Sequence, residues 1–113
     1  MRFLISGGAG YIGSTVAHYL IDRGHEVTIV DNLLNGFRRN IPKKATFFKI
    51  DISDTKKLNN IFLIKKFDFV FHFAALINNE ESLKYPKRYF KNNYEKGKIF
   101  LQCCIENNLT NII

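Results

Sequence analysis

The sequence predicts an α/β fold, a doubly wound parallel sheet of about five strands in the order 3-2-1-4-5. Three observations carry that expectation. A short apolar run, Phe3-Leu4-Ile5-Ser6, breaks into Gly7-Gly8-Ala9-Gly10 and resumes near Tyr11 as a helical pattern. A second strand-like run, Glu26-Val27-Thr28-Ile29-Val30, ends in Asp31, eighteen positions beyond Gly13. Strand-like and helix-like segments then alternate to the end of the chain, the pattern of a parallel sheet with crossover helices.

The first strand leads into a phosphate loop. Its glycines satisfy two overlapping spacings, Gly8-x-Gly10-x-x-Gly13 and Gly7-x-x-Gly10-x-x-Gly13. One glycine permits the tight turn, one lets backbone approach a pyrophosphate, and Gly13 lets helix and strand pack closely. The pyrophosphate then rests on the unpaired N–H groups at the positive end of the helix. That helix runs to Arg23 with Val16, Ala17, Tyr19, Leu20 and Ile21 as its apolar residues, and Gly24 stops it. Asp31, at the end of the second strand, has the position required of a carboxylate that binds a ribose.

Residues 32–40 read as a polar loop with one helical turn, followed by a strand over Ala45–Ile50 that ends in Asp51. Ser53 or Asp54 caps a helix over Thr55–Lys66 with Leu58, Ile61, Phe62 and Ile64 mostly on one face. Asp68–Phe73 is the most apolar short run and is expected to be a buried parallel strand. Ala74 and Ala75 close it with side chains small enough for a ligand to lie against the backbone. A loop through Asn78, Glu80 and Ser82 passes Pro86 into a long helix over Lys87–Asn107, with Tyr89, Phe90, Ile99, Phe100, Cys103 and Ile105 available to the core. Gly97 within it costs about 1 kcal/mol relative to alanine. Thr110–Ile113 looks like the opening of a fifth strand. The glycine loop, Asp31, Asp51 and Ala74-Ala75 all follow strand ends, so the topology gathers them on one edge.

Composition narrows the function classes. A chain of 113 residues with 46% hydrophobic content forms one domain with a modest core. No run is long enough to span a membrane, and the apolar stretch after Arg2 is too short for a signal peptide, which together imply a cytoplasmic protein. Cys103 and Cys104 are adjacent and have no other cysteine to pair with, so no disulfide is expected. His18, His25 and His72 form no ligand spacing, and no metal is expected. Lys and Arg outnumber Asp and Glu by 17 to 10, giving a net charge of +7, but the lysines are scattered as pairs at element edges. That distribution is solvated surface, and no nucleic-acid partner is expected.

These residues resemble the extended short-chain dehydrogenase/reductase family, the NAD-dependent epimerases and dehydratases, and most closely its UDP-glucose 4-epimerase branch. The resemblance spans the chain. It rests on residues 7–13, on Val30-Asp31-Asn32-Leu33 with Asn35-Gly36, on Asp51-Ile52, on His72-Phe73-Ala74-Ala75-Leu76, on Glu81-Ser82 with Pro86, and on Tyr89-Phe90 with Asn92-Asn93. It implies a Rossmann-type sheet that binds NAD. Gly7, Gly10, Tyr11, Ile12 and Gly13 hold the pyrophosphate. Asp31 takes the adenosine ribose, with Asn32, Asn35 and Gly36 beside it. Asp51 and Ile52 flank the adenine, Phe73, Ala74, Ala75 and Leu76 line the nicotinamide half, and Asn92 reaches in from the long helix. Asp31 accepts from both ribose hydroxyls and repels a 2′-phosphate, which favours NAD over NADP; Arg38 and Arg39 are the residues that could accommodate that phosphate instead.

The resemblance further implies a nucleotide-sugar substrate and, because the family often pairs through helices that include the long one, a homodimer. It places the catalytic serine or threonine and Tyr-x-x-x-Lys after the fifth strand. The chain is therefore expected to be the N-terminal portion of an NAD-binding domain, residues 1–113, cut in or before the end of that strand, with no catalytic residue of its own. Tyr94-Glu95-Lys96-Gly97-Lys98 matches the catalytic spacing literally but falls on the preceding helix, and Ile77 stands where the epimerases commonly carry a lysine. A dehydratase, decarboxylase or reductase of the same family, and a non-catalytic nucleotide-binding module, stay open as alternatives.

Overall fold

A computed structural model of the chain describes residues 1–75 and 79–113, Asn79 and Glu80 by backbone alone. Leu76, Ile77 and Asn78, to which the sequence assigns a place in the nicotinamide half, a family departure and a loop, lie outside the described residues. Four parallel strands form one sheet: β1 (Arg2–Ser6), β2 (Glu26–Asp31), β3 (Thr46–Lys49) and β4 (Phe69–His72). Their order is β3-β2-β1-β4, with Ile5 opposite Ile29 and Phe71. The expected fifth strand reduces to one bridge between Val70 and Ile112 beyond β4. Hydrogen bonds of 2.9 Å run from Val70 N to the Asn111 carbonyl, from Ile113 N to the Val70 carbonyl and from His72 N to the Ile113 carbonyl. The segment has the expected place and direction, but a single ladder pair is too short to count as a strand.

Side-chain alternation along the strands sorts the core into two layers. Phe3, Ile5, Val27 and Ile29 face α1 (Tyr11–Asp22), meeting Ala17 and Leu20. Leu4, Val30 and Val70 face the other way, onto Leu58 and Ile61 of α2 (Thr55–Ile64) and onto Phe100, Cys103 and Cys104. Gly24, at φ +83°, ends α1 in the left-handed conformation, and Asp54 caps α2 by accepting from Lys57 N at 3.1 Å. Tyr19 of α1 and Ile64 of α2, counted among the apolar faces, are exposed. Tyr19 carries the Arg23 guanidinium 3.4 Å from its ring centroid.

Two further expectations need correction. β4 is only partly buried, with Val70 its one fully covered residue: Phe69 stacks on Phe3 and Phe71 on Phe73, and Phe69, Phe71 and Phe73 pack at the margin of that core layer with part of their surface exposed. The loop before Pro86 contains a short helix, α3 (Asn79–Lys84), whose Glu81 carbonyl accepts from Tyr85 N at 2.8 Å. Glu81 also pairs with the Arg88 guanidinium and accepts from the Tyr89 hydroxyl at 3.0 Å, fastening α3 to the helix that follows. That helix is composite: α4 (Pro86–Phe90), a wider π-helical turn over Lys91–Lys96, and α5 (Gly97–Glu106), with right-handed backbone through both joints. Pro86 starts it at the position where a missing N–H costs nothing.

Candidate functional site

A cleft of about 420 Å³ opens at the carboxyl ends of the four strands. Its floor is the loop between β1 and α1. Gly7 turns the chain there at φ +75°, and a Cβ on it would lie 2.6 Å from Ala74 N, so the glycine lets the end of β4 pass directly against the loop. A Cβ on Gly13 would lie 2.2 Å from the Gly7 carbonyl oxygen. Of the two spacings, Gly7-x-x-Gly10-x-x-Gly13 is therefore the one that shapes the cleft, and Gly8 instead packs on the Ile29 side chain. Gly10 differs from the others: a Cβ there would meet only the Gly7 oxygen, at 3.4 Å, with open space otherwise. Gly10 also precedes α1 without any side-chain cap. The first N–H groups of a twelve-residue helix thus face the cleft through Tyr11, Ile12 and Gly13 with no side chain set against them.

Asp31 is buried at the end of β2 and braces this loop. Its Oδ2 accepts from Ala9 N at 3.0 Å and its Oδ1 from Leu33 N at 2.8 Å. Asn32 repeats the second motif, its Oδ1 accepting from Leu34 N at 2.9 Å, and between them Leu33 is held at φ +62°. The loop then folds over the glycine turn. A Cβ on Gly36 would lie 2.7 Å from the Ala9 carbonyl carbon, and that carbonyl accepts from Phe37 N and Asn40 Nδ2, both at 3.1 Å. The helical turn expected here is a single 3₁₀ turn over Arg38–Asn40. Both arginines lie over aromatic rings, Arg38 above Phe47 and Arg39 above Phe37.

Asp51 follows β3, the strand beside β2, where Ile50 N donates to the Asp31 carbonyl at 3.2 Å. Asp51 Oδ1 accepts from Ser53 N at 2.8 Å and Ser53 Oγ at 2.5 Å, while Oδ2 accepts from Lys96 Nζ at 2.7 Å. Partial burial raises its carboxyl group, but the hydrogen bonds from Lys96 and Ser53, with the lysine charge, outweigh burial and hold it below the usual aspartate range. Between β1 and β4, Ser6 Oγ and His72 Nδ1 lie 2.6 Å apart and Ala74 N donates to Ser6 Oγ at 3.4 Å. The His72 ring stacks on Phe100, and a Cβ on Gly97 would reach its Nε2 at 3.3 Å. Glycine at position 97 thus leaves room for this ring, and burial holds the imidazole below its ordinary value.

The cleft brings together fifteen of the sixteen residues expected from the sequence: Gly7, Gly10, Tyr11, Ile12, Gly13, Asp31, Asn32, Asn35, Gly36, Asp51, Ile52, Phe73, Ala74, Ala75 and Asn92. The sixteenth, Leu76, is not among the described residues. Sequence reasoning missed Ala9, Leu34, Phe37, Asn40 and Ile50. Ala9 and Ile50 adjoin expected residues and were within reach; Phe37 and Asn40 enter through bonds to Ala9 that no local pattern announces. Tyr94 and Lys98 are exposed and line no part of the cleft, Tyr94 stacking on Phe90. Among the described residues no group of three or more His, Cys, Asp or Glu could hold a metal ion, and no helix is long and apolar enough to cross a membrane.

A glycine-floored cleft at the carboxyl edge of a parallel sheet, an acid ending β2 and another following β3 define a Rossmann-type α/β protein. Residues 3–113 match the NAD dependent epimerase/dehydratase family, and the chain belongs to it. It is 42% identical over 93 residues to a UDP-glucose 4-epimerase of Streptomyces lividans, an alignment covering 81% of this chain and 28% of that protein. It is 39% identical over 117 residues to the bifunctional protein GAL10 of Pachysolen tannophilus, covering 97% of this chain and 17% of that one. The UDP-glucose 4-epimerase of Thermus thermophilus, solved in complex with NAD, superposes with a TM-score of 0.93 at 35% identity, over 99% of this chain and 36% of that one. The Thermotoga maritima UDP-glucose 4-epimerase, solved with UDP-glucose, gives 0.93 at 34% identity, over 99% and 36%. The chain thus spans little more than a quarter of the length of the Streptomyces relative.

Proposed function

We propose that this chain is the NAD-binding portion of a UDP-hexose 4-epimerase-like isomerase, with a nucleotide sugar as the substrate of the whole enzyme. The single observation that carries the reading is Gly10: the chain's own packing leaves room for a Cβ there, yet the residue is glycine at the uncapped start of α1, on the lining of the cleft. Space for a ligand explains that choice, and a pyrophosphate complements the free N–H groups. The relatives solved with NAD and with UDP-glucose agree with both halves of the proposal.

Each wall then has a task. The Tyr11, Ile12 and Gly13 backbone receives the pyrophosphate, and the Asp31 carboxylate, preset by Ala9 and Leu33, receives the adenosine ribose. Asp51 and Ile52 hold the adenine, while Phe73, Ala74, Ala75 and Asn92 border the nicotinamide half. Bound there, NAD supplies the hydride acceptor and donor that inversion at a sugar carbon needs. The residues of this chain bind and orient it. The Tyr-x-x-x-Lys that the resemblance implies for proton transfer is not formed by Tyr94 and Lys98, which stand outside the cleft, so the 113 residues alone bind NAD without turnover.

Titration calorimetry with NAD and NADP, beside an assay of UDP-galactose conversion, tests this. Saturable NAD binding with weaker NADP binding and no conversion is expected. Equal affinity for the two, or measurable epimerisation by the 113 residues, overturns it.

A further inference from the structure

We infer that Lys96 is a positioning residue for the adenine end of the cleft, acting through Asp51. The inference rests on the NAD-binding reading above and goes beyond it. Lys96 is 45 residues from Asp51 in sequence and is carried on the π-helical turn, which also sets Asn92 on the cleft wall. A carboxylate at a cleft rim, with its side chain about a third exposed, rotates freely unless something fixes it. Here both oxygens are fixed. Ser53 donates twice to Oδ1, and Lys96 donates to Oδ2 at 2.7 Å.

A carboxylate has about four acceptor sites, and three are taken, which leaves one on Oδ2. A ligand group that uses it must be a hydrogen-bond donor, and the 6-amino group of adenine is one. A purine with a 6-oxo group presents an acceptor to the same site and is rejected, leaving a partly buried carboxylate site unpaired. Without Lys96 the Oδ2 side is untethered, the carboxylate turns toward solvent, and the selection is lost. Lys96 also neutralises a negative charge on the cleft lining, which weakens its repulsion of an anionic dinucleotide, an effect that does not depend on the base. The two contributions separate by comparing dinucleotides that differ only at the base.

The test is calorimetric binding of NAD and of its hypoxanthine analogue to the wild-type chain and to K96M, K96R and D51N, with a melting curve on each. Wild type is expected to prefer NAD about tenfold, the size of one hydrogen bond to a charged group. K96M is expected to bring that ratio to within about twofold of unity, as D51N does, while K96R retains it. If K96M fails to fold, K96Q carries the same comparison. A K96M chain that weakens both dinucleotides by one factor and keeps the wild-type ratio overturns the inference, leaving Lys96 only its charge. A wild-type ratio near unity overturns it as well. A wild-type chain that melts cooperatively but binds neither dinucleotide overturns the NAD reading itself.

Discussion

Gly10 and Gly13 stand three residues apart and separate the demands of packing from those of a ligand. A methyl group on Gly13 lies 2.2 Å from the Gly7 oxygen and 2.9 Å from both the Gly7 carbonyl carbon and Gly8 Cα. Gly7 cannot easily retreat, because its N–H donates to the Val30 carbonyl at 2.9 Å and its own carbonyl accepts from Gly10 N at 3.2 Å. Overpacking of this kind costs roughly 1–3 kcal/mol, and losing one of those hydrogen bonds adds about 1 kcal/mol. G13A is therefore expected to lose about 3 kcal/mol and roughly 10 °C in melting temperature. At Gly10 the backbone is ordinary, φ −78°, and the nearest atom is at 3.4 Å. Alanine is a poorer N-cap than glycine by up to about 1 kcal/mol, and it gains about 0.4–1 kcal/mol by restricting the unfolded chain, so the two nearly cancel. G10A should melt within about 3 °C of wild type yet bind NAD at least about tenfold more weakly, its methyl taking up room on the cleft lining. Thermal unfolding and calorimetry on the same samples check both. Equal destabilisation by the two substitutions, or wild-type affinity in G10A, refutes the division of labour.

Removing the Asp31 carboxylate orphans the N–H groups of Ala9 and Leu33, so D31A should cost about 2 kcal/mol in urea unfolding, and D31N, which keeps one acceptor but sets an amide NH2 against the other N–H, at least about half as much. Burial depresses His72, so the unfolded chain binds more protons than the folded one as pH falls below about 6.5, the ordinary value. Its contribution is fully present above that pH and is lost as pH drops toward the folded value; melting at pH 7.5 and 5.5 should show a fall that H72N reduces, and equal falls would place the loss elsewhere. Asp51 acts in a lower window, since a depressed carboxyl contributes above its ordinary value of 3.8 and loses that contribution only in stronger acid. Burial pushes the Cys104 thiol up to about 12 and raises Cys103, so neither should react with a thiol reagent at pH 8 in the folded chain, and both should react after denaturation. Rapid labelling of the native protein would show that α5 opens readily.

What the sequence made legible are features whose physical cause is local. A turn at positive φ favours glycine, a strand end offers its next residue to the cleft, and parallel strands put all such ends on one edge; so the sequence alone places Gly7, Asp31, Asp51 and Ala74 together. The long helix shows where that logic stops. Composition alone offers Phe90, Ile99 and Ile105 of residues 87–107 to the core beside Tyr89, Phe100 and Cys103. In the structure Tyr89, Phe100, Cys103 and Cys104 are buried, and Phe90, Ile99 and Ile105 are exposed. The π turn over Lys91–Lys96 lies between the two helical stretches, and a step of about 100° per residue by itself sets Phe90 and Ile105 away from Tyr89, Phe100 and Cys103, so choosing the face, which composition does not do, was the missing step.

No residue type in Lys91-Asn92-Asn93-Tyr94-Glu95-Lys96 demands a wide turn; its partners do. Asp51 meets Lys96 across 45 positions, and His72 comes close enough to Gly97 that a Cβ there would be tight at 3.3 Å. The Phe100 ring stacks on His72 one turn further on, so all three contacts lie at or directly after the widened turn. This carries a consequence for the helix itself. Deleting one residue from the π turn should restore a regular α-helix and turn Phe100 off the core, where truncating a buried phenylalanine alone costs about 3–5 kcal/mol. A chain lacking Asn93 should therefore lose its cooperative melting transition. A deletion that melts near wild type would show the helix to be set by its own sequence rather than by Asp51, His72 and the sheet it packs on.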